Sequence, residues 1–580
     1  ATMVDADGLL KWRPHNLVTY SNDLSNAVWI NTNNSNTANA GVSPDGTSNA
    51  NKVVPATNLG VHYTYQTLSL PSTDHSFSVY VASSGYGFAT ICAGSIGTAD
   101  YYAVVIDLSD GTQTALYSQG SHSKTVTVEP VGSYYRVTIS GNRESYYVVG
   151  ASDTGTYTPS DYGFKSFQGD GTSGILVYGA HMFRSGLGGM VNNPDTSNSY
   201  VPTTSSAVYA PRRGHHVYNG SAWVNEGILH ESEARTNLMT SSGDLTGADW
   251  EWSGGLLVGT VTTGSPFGTH QTISPRSNSN GEGPAQRYQV GKTLTSGATY
   301  IGYSLVKYSA GSGWFKINMY NTGGTNKKAY FDLQNGVVGF KNSLIIDHGM
   351  VDYGDGWWLC WASANATSTS GGMSLEMPNA DGVVACSAAD VILIAGSQFE
   401  LGSAPSSYIP TNAGATVTRA AETLTVPAAN LPYDNTNVSI QMDGKMTYAD
   451  TDVAVEVSPY RWRRDSLNYI QPQLNTQSSR TGQMQFYQRQ STSGQDAVFS
   501  GNNSYSPDTN VPFNLASRHG STFINGAHNG TLLTANTTPT ALPDLSATDL
   551  ELGYVFMGTI GLWRMWSDDL GDVGITEAST

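Results

Sequence analysis

The chain states one phrase twice, and that repetition constrains its fold more than any other feature. Asn16-Leu17 runs through VTYSNDLSNAVW to Trp29, and Asn237-Leu238 runs through MTSSGDLTGADW to Trp250. Ser21, Asp23, Leu24 and Ala27 fall opposite Ser242, Asp244, Leu245 and Ala248 without a gap. A shared register of this kind marks the opening of two copies of one module. The copies agree again downstream. Ile106-Asp107-Leu108 with Gly111 answers Phe331-Asp332-Leu333 with Gly336, and the aromatic pair Tyr134-Tyr135 answers Trp357-Trp358. Each copy closes on a near-identical phrase, Tyr200-Val201-Pro202-Thr203 and Tyr408-Ile409-Pro410-Thr411. The modules therefore span 16–203 and 233–411, an ordinary domain size.

Within these frames the segments are short and alternate. HYTYQTLSL, FSVYVAS and GILVYGAHMF read as strands of the first copy; IGYSLVKY, GWFKINMY and GWWLCWAS as strands of the second. Only 13% of residues are charged, Gly numbers 64, and no long 3.6-period segment occurs. From Asn437 the pattern changes to VSIQMDGKMTY, LNYIQPQLN and GQMQFYQRQ, with hairpin signals at Asn525-Gly526 and Asn529-Gly530. This is a third β domain and not a third copy. The sequence predicts an all-β chain of three antiparallel β-sandwich (jelly-roll) domains in tandem. Around them it places a lead-in at 1–15, connectors at 204–232 and 412–436, a third domain at 437–570 and a loosely held tail at 571–580.

Charge and cysteine content narrow the function. A net charge of −17 and a pI near 5.0 repel nucleic acid and anionic membranes, so neither is an expected partner. No apolar run approaches the roughly 20 residues of a membrane helix. Cys92, Cys360 and Cys386 cannot form a disulfide framework and read as buried thiols, with a Cys360–Cys386 pair as the alternative. The opening ATMVDADGLLKWRP lacks the shape of a signal peptide. An extracellular-looking chain of this kind fits release by host lysis, as with a virus particle.

Catalytic phrases fail at specific letters. His230-Glu231 begins a zinc-protease motif, but Ala234 stands where the second His is needed. Gly291-Lys292-Thr293 ends like a phosphate loop, but Gln286 replaces the required Gly, and no Gly-x-Ser-x-Gly elbow is present. The adjacent His215 and His216 have no further ligand at metal spacing and read as a polar connector. The chain is expected not to be an enzyme. A glycosidase pair of carboxylates separated in sequence stays open. Asp443 with Asp450 and Asp452 offers oxygen ligands for a structural calcium, against a solvated acidic loop as the default. No other cofactor is implied.

What remains is aromatic. At period 2, Tyr135, Val137 and Ile139 take the core face of their strand, and Tyr134, Arg136 and Thr138 the other. In the second copy Trp358, Cys360 and Ala362 form the core set, and Trp357, Leu359 and Trp361 the opposite one. A non-core face with two Trp is either a second core layer or a platform on which sugar rings stack. Trp357 and Trp361, with Tyr134 and Arg136 as the counterpart, are the expected carbohydrate-binding residues. Tyr101, Tyr102, Tyr146 and Tyr147 carry the same ambiguity.

The phrases VDADGLLK, YAPRRGHHVYNGSAWVNEGILHESEARTNL, GSQFELGSAPSSYIPTNAGATVTRAAE and GTIGLWRMWSDDL resemble those of tailed-phage virion proteins. These are tail-fibre, tail-spike or head-fibre proteins with carbohydrate-binding-module-like jelly rolls, often ending in a laminin-G or concanavalin-A-like sandwich. The resemblance covers most of the chain. The first module departs from it, with Gly179-Ala180-His181-Met182-Phe183 where the second has Gly396-Ser397-Gln398-Phe399-Glu400. The resemblance implies a place on the virion surface, other virion proteins and host surface polysaccharide as partners, and a homo-oligomer. It carries over no catalytic residue. A depolymerase tail spike and a purely structural decoration protein are the alternatives.

Overall fold

The computed structural model describes the chain apart from residues 69, 71–73, 95–100, 120–123, 143–145, 159–160, 194–198, 276–284, 322–325, 449–455, 478 and 492–493. The chain divides into two compact units, Lys11–Ala210 and Ala1–Leu10 with Pro211–Thr580. Strands dominate throughout, and the one α-helix among the described residues is Gly571–Ala578. No described helix is long and apolar enough to cross a membrane.

The first unit holds module one, a sandwich of two six-stranded antiparallel sheets. One sheet runs in space Gln113–Gln119, Tyr101–Asp107, Phe88–Gly94, Tyr146–Ser152, Tyr63–Thr67, Ile30–Thr32. The other runs Thr125–Val131, Tyr134–Asn142, Asp74–Ser84, Gly174–Arg184, Ala50–Pro55, Asn34–Gly41. Module two, in the second unit, repeats both orders. Its first sheet is Val337–Lys341, Lys327–Asp332, Trp314–Asn321, Ser370–Glu376, Gln286–Thr293, Glu251–Ser253. Its second is Asp347–Asp352, Trp357–Asn365, Thr299–Ala310, Val391–Leu401, Gly268–Pro275, Leu256–Val258, with Thr262–Ser265 added beside Gly268–Pro275. The two modules are copies in strand order as well as in sequence.

The repeated letters close each sandwich. Asn16 donates its amide to the carbonyls of Ala180 (3.0 Å) and Val201 (2.8 Å), and its Oδ1 accepts from the backbone N–H of Val18 and Met182. Asn237 makes the same four bonds, to Ser397 and Ile409 and from Met239 and Phe399. The Ser21 hydroxyl meets the Tyr200 hydroxyl at 2.8 Å, and Ser242 meets Tyr408 at 2.8 Å. Trp29 and Trp250 each donate the indole N–H to the carbonyl of a left-handed residue, Tyr20 (φ 49°) and Ser241 (φ 48°). Gly111 and Gly336 have φ of 77° and 65°, and a Cβ on either would lie 2.4 Å from the ring of Tyr135 or Trp358. Any side chain there would displace the second member of the aromatic pair.

The third sandwich is discontinuous in sequence. Its seven-stranded sheet runs Arg212–Arg213, Ile228–Glu231, Met557–Trp566, Asn437–Met446, Val511–Gly520, Ile524–His528, Thr531–Leu532. Its six-stranded sheet runs Leu424–Val426, Leu550–Tyr554, Glu456–Asp465, Asn468–Asn475, Gln483–Gln490, Gln495–Phe499. The expected connectors 204–232 and 412–436 therefore supply edge strands, and module two is inserted into the third domain. Short, charged strands such as Arg212–Arg213 carry no alternating signature, so the sequence reads them as linker. The tail is also corrected. Gly571–Ala578 buries Ile575 beside Ala516 and Ala527, and Asp572 accepts from Arg518 at 2.7 Å.

A buried ionic network joins the insertion points. Glu231 contacts Arg212 at 2.7 Å and Arg419 at 3.2 Å, and Arg212 also contacts Glu422 at 2.5 Å. Ser407 donates to Glu231 through its backbone N–H (2.7 Å) and its hydroxyl (2.6 Å), and Arg212 donates to the carbonyl of Thr2. Burial alone would raise the Glu231 pKa, but Arg212, Arg419 and Ser407 outweigh it and hold the carboxyl well below the ordinary range.

Three outcomes are expected. Asn237→Ala leaves two carbonyls and two N–H groups unpaired in the interior. It should cost about 3 kcal/mol or more in chemical denaturation; a change within experimental error would show that closure does not depend on it. Arg212→Met removes the cation that two buried carboxylates share and should cost about 3–5 kcal/mol. Because the folded pKa of Glu231 lies below its unfolded value of about 4.5, its contribution is complete above that pH and is lost as pH falls below it. The melting temperature of the wild type should therefore drop on acidification, and less steeply in Glu231→Gln.

Candidate functional site

Period-2 parity holds at each residue proposed from sequence. Val137, Ile139 and Tyr135 face the core of module one, and Cys360, Ala362 and Trp358 that of module two. Tyr134, Arg136, Trp357 and Trp361 take the opposite faces, but those faces are covered. Trp361 is 5% exposed and Trp357 2%. With Tyr303, Tyr353 and Phe267, Trp361 lines a partly open cavity of about 150 Å³ that Trp223 and Met3 also line. Trp357 packs edge-on to His270, ring centroids 5.7 Å apart. Tyr134, 2% exposed, donates its hydroxyl to the carbonyl of Val42 and packs with Tyr80, Tyr178 and Tyr200. Arg136 pairs with Glu129 at 3.7 Å and lies over the Tyr80 ring. These four are not an exposed platform. On this face the second-core-layer alternative describes the structure, because segments distant in sequence cover the rings.

The two modules differ on the outer face of the other sheet. In module one the outer face of that sheet is a cluster of tyrosines. Tyr65 meets Tyr146 at 4.7 Å, and Tyr101 meets Tyr117 at 5.3 Å. Tyr162 bridges the two groups, 5.2 Å from Tyr101 and 5.4 Å from Tyr146. Its backbone is left-handed (φ 58°, ψ 28°), a costly conformation for an aromatic residue. Tyr157, 37% exposed, adds a further ring 5.0 Å from Tyr117. Burial, reinforced by Tyr63 and Tyr65, raises the Tyr146 pKa far above the ordinary tyrosine range, so its hydroxyl stays protonated. The four tyrosines left ambiguous by sequence divide by parity: Tyr102 and Tyr147 join the core, while Tyr101 and Tyr146 join this outer cluster.

Module two presents polar groups at the same place. Lys316 is 1% exposed and ion-paired with Glu376, 2% exposed. Glu376 Oε1 accepts from Asn318 (2.8 Å) and Ser374 (2.7 Å), and Tyr330 lies over the Lys316 ammonium. Beside them Tyr320 donates its hydroxyl to Gln286 at 2.7 Å. Asn318 Oδ1 is buried without a hydrogen-bond partner. Strand pairing puts Thr90 and Gly150 of module one where module two has Lys316 and Glu376. Sequence reasoning left Tyr101 and Tyr146 of the first face undecided and missed the second face. The available signal was the pair of aligned strands FATICAG and WFKINMYN, which agree on the core side and differ on the other.

The remaining candidates have structural partners. His215 Nδ1 accepts from the Val4 N–H at 3.2 Å, and His216 Nδ1 lies 2.8 Å from the Gly214 carbonyl. His230 Nε2 lies 2.9 Å from the Gly553 carbonyl. The three cysteines are buried and form no disulfide. Asp443 accepts from the Leu562 N–H, while Asp450 and Asp452 lie outside the described residues. Among the described residues no group of three or more His, Cys, Asp or Glu could hold a metal.

No family model matches this chain, and no curated protein matches it. Among solved structures it is similar to the N-terminal CBM22-1-CBM22-2 tandem domain of Xyn10C from Paenibacillus barcinonensis. That match has 13% identity and a TM-score of 0.21, and covers 68% of this chain and 99% of that one. It is also similar to domains LG4-5 of the mouse laminin α1 chain, at 10% identity and a TM-score of 0.19, covering 48% and 85%. Likenesses at these scores carry no weight for the fold or the ligand.

Trp361→Ala should behave as a core truncation, costing about 3–5 kcal/mol of stability. An unchanged melting temperature would return the ring to the surface.

Proposed function

We propose that this chain is a virion-surface protein of a tailed phage that adheres to host cell-surface glycans without catalysis. The observation that carries the glycan reading is the half-exposed tyrosine cluster around Tyr157 and Tyr162. Flat rings suit the apolar face of a pyranose, and the neighbouring hydroxyls can bond its edges. Tyr162 holds a strained backbone where an outward face needs no ring for folding. Strain of this kind collects at binding sites. The virion assignment rests on the resemblance of the phrases at the module junctions to phage fibre and decoration proteins. Each domain is small and its sites shallow, so adhesion relies on many copies, where linked sites raise avidity by roughly 10²–10⁴. A homo-oligomer on the particle supplies them, and host lysis releases it.

The test pairs binding with stability. Tyr157→Ala should weaken binding to host-cell polysaccharide by about tenfold, on the order of 1–3 kcal/mol by analogy with base stacking, and leave the melting temperature unchanged. Full binding by the double variant Tyr117→Ala/Tyr157→Ala would remove the site from this face. New reducing ends on incubation with the polysaccharide would replace adhesion by depolymerisation.

A further inference from the structure

We propose that the outer face of the six-stranded sheet in the third sandwich is a separate site for an acidic polysaccharide. Arg463, which lies over the Tyr469 ring, and Arg489 would together take a sugar carboxylate. The site goes beyond the tyrosine face of module one and shares no residue with it.

Register places the three residues in one cross-strand row. Arg463 is opposite Tyr469, and Tyr469 is opposite Arg489. The Arg463 guanidinium carbon lies 5.4 Å from the Tyr469 ring centroid, and its Nε donates to the Asp465 carbonyl at 3.2 Å. Neither Arg463 nor Arg489 has a carboxylate at ion-pair distance among the described residues, and Arg489 Nε is buried without a partner. The neighbouring Arg461 and Arg464 are taken by Glu551 and Asp465. In a chain of net charge −17, two guanidiniums left unmatched on one row are local complements to an anion. A carboxylate fits them because the planar guanidinium fork bonds it in a bidentate way.

A glutamine ladder adjoins this row on the same strands. Gln471 donates to Ser458 (2.8 Å) and Gln473 (3.2 Å), Gln473 to Gln485 (3.0 Å), and Tyr487 to Gln485 (2.7 Å). Alternate residues of these strands, Ile470, Leu474, Met484 and Phe486, make the core, so the amides add nothing to it. Gln471, Gln473 and Gln485 are buried, so the ladder stiffens the strands that carry the arginine row and does not itself meet a ligand. Phe499, half exposed, ends the row from Gln485, and Tyr487 packs edge-on against it at 5.9 Å. On the Arg463 side a groove of about 370 Å³ opens, lined among others by Thr425, Arg461 and Glu551. A chain of sugars, and not a single one, matches that extent.

The full-length protein should bind polygalacturonate or hyaluronate, weaken as salt is raised, and bind neutral dextran at least tenfold less tightly. Arg463→Gln/Arg489→Gln should lose at least tenfold in affinity for the acidic polymers with an unchanged melting temperature. Arg213→Gln, which removes an exposed charge from the other sheet, should leave binding unchanged. Tyr157→Ala should also leave it unchanged, which separates this site from that of module one. Equal affinity for dextran, absence of binding to both acidic polymers, or wild-type affinity in the folded double variant would each overturn the proposal.

Discussion

Each of the two modules depends on one asparagine. A β-sandwich whose first and last segments lie side by side needs something to fasten them, because neither segment has a complete strand partner. Asn16 and Asn237 do this with one side chain, using both donor hydrogens and both acceptor lone pairs of the amide. No other small side chain carries two donors and an acceptor on one carbon. The closing Tyr and Thr complete the fastening: Thr203 and Thr411 donate their hydroxyls to the carbonyls of Val18 and Met239. The letters that repeat are therefore those whose hydrogen bonds cannot be exchanged, while the strands between them drift.

The same logic explains the phrases at the junctions. Arg212, Glu231, Arg419 and Glu422 sit within them, and all four meet in one interior network where module two enters and leaves the third sandwich. Buried charges tolerate loss of a partner poorly, so the four letters act together. In the closing phrase Gln398 and Glu400 hold the loop through Ser406 and Ile409. Module one has His181 in place of Gln398, and its ring reaches the His15 carbonyl instead. What these phrases encode is architecture, and a resemblance built on them speaks to assembly more than to ligand.

The fold was largely legible in the sequence because its signals are local. The repeated frame set the two modules, and alternation put Val137, Ile139, Cys360 and Ala362 in the core. The site was less legible because exposure is not local. Parity places Trp361 away from the core of its own module, yet says nothing of Trp223 and Met3, which line the same cavity from elsewhere in the chain. Domain continuity failed for a related reason. Ile228–Glu231 and Leu424–Val426 join the third sandwich only because partners distant in sequence complete them, Met557–Trp566 and Leu550–Tyr554.

The comparison of the two modules separates scaffold from ligand chemistry in a way that one sandwich could not. Both bury the same kind of apolar interior between sheets of the same order. On the outer face of the corresponding sheets, one shows tyrosines and the other a buried Lys316–Glu376 pair. Desolvating an ion pair is expensive and is matched only when geometry and further hydrogen bonds are good. Module one folds with Thr90 and Gly150 in those places, so the fold itself does not require the pair. The pair, and the unpartnered Asn318 oxygen beside it, therefore belong to this module's own face and not to the shared architecture. The chain then reads as one closure device used twice, with each outer face free to take its own surface chemistry.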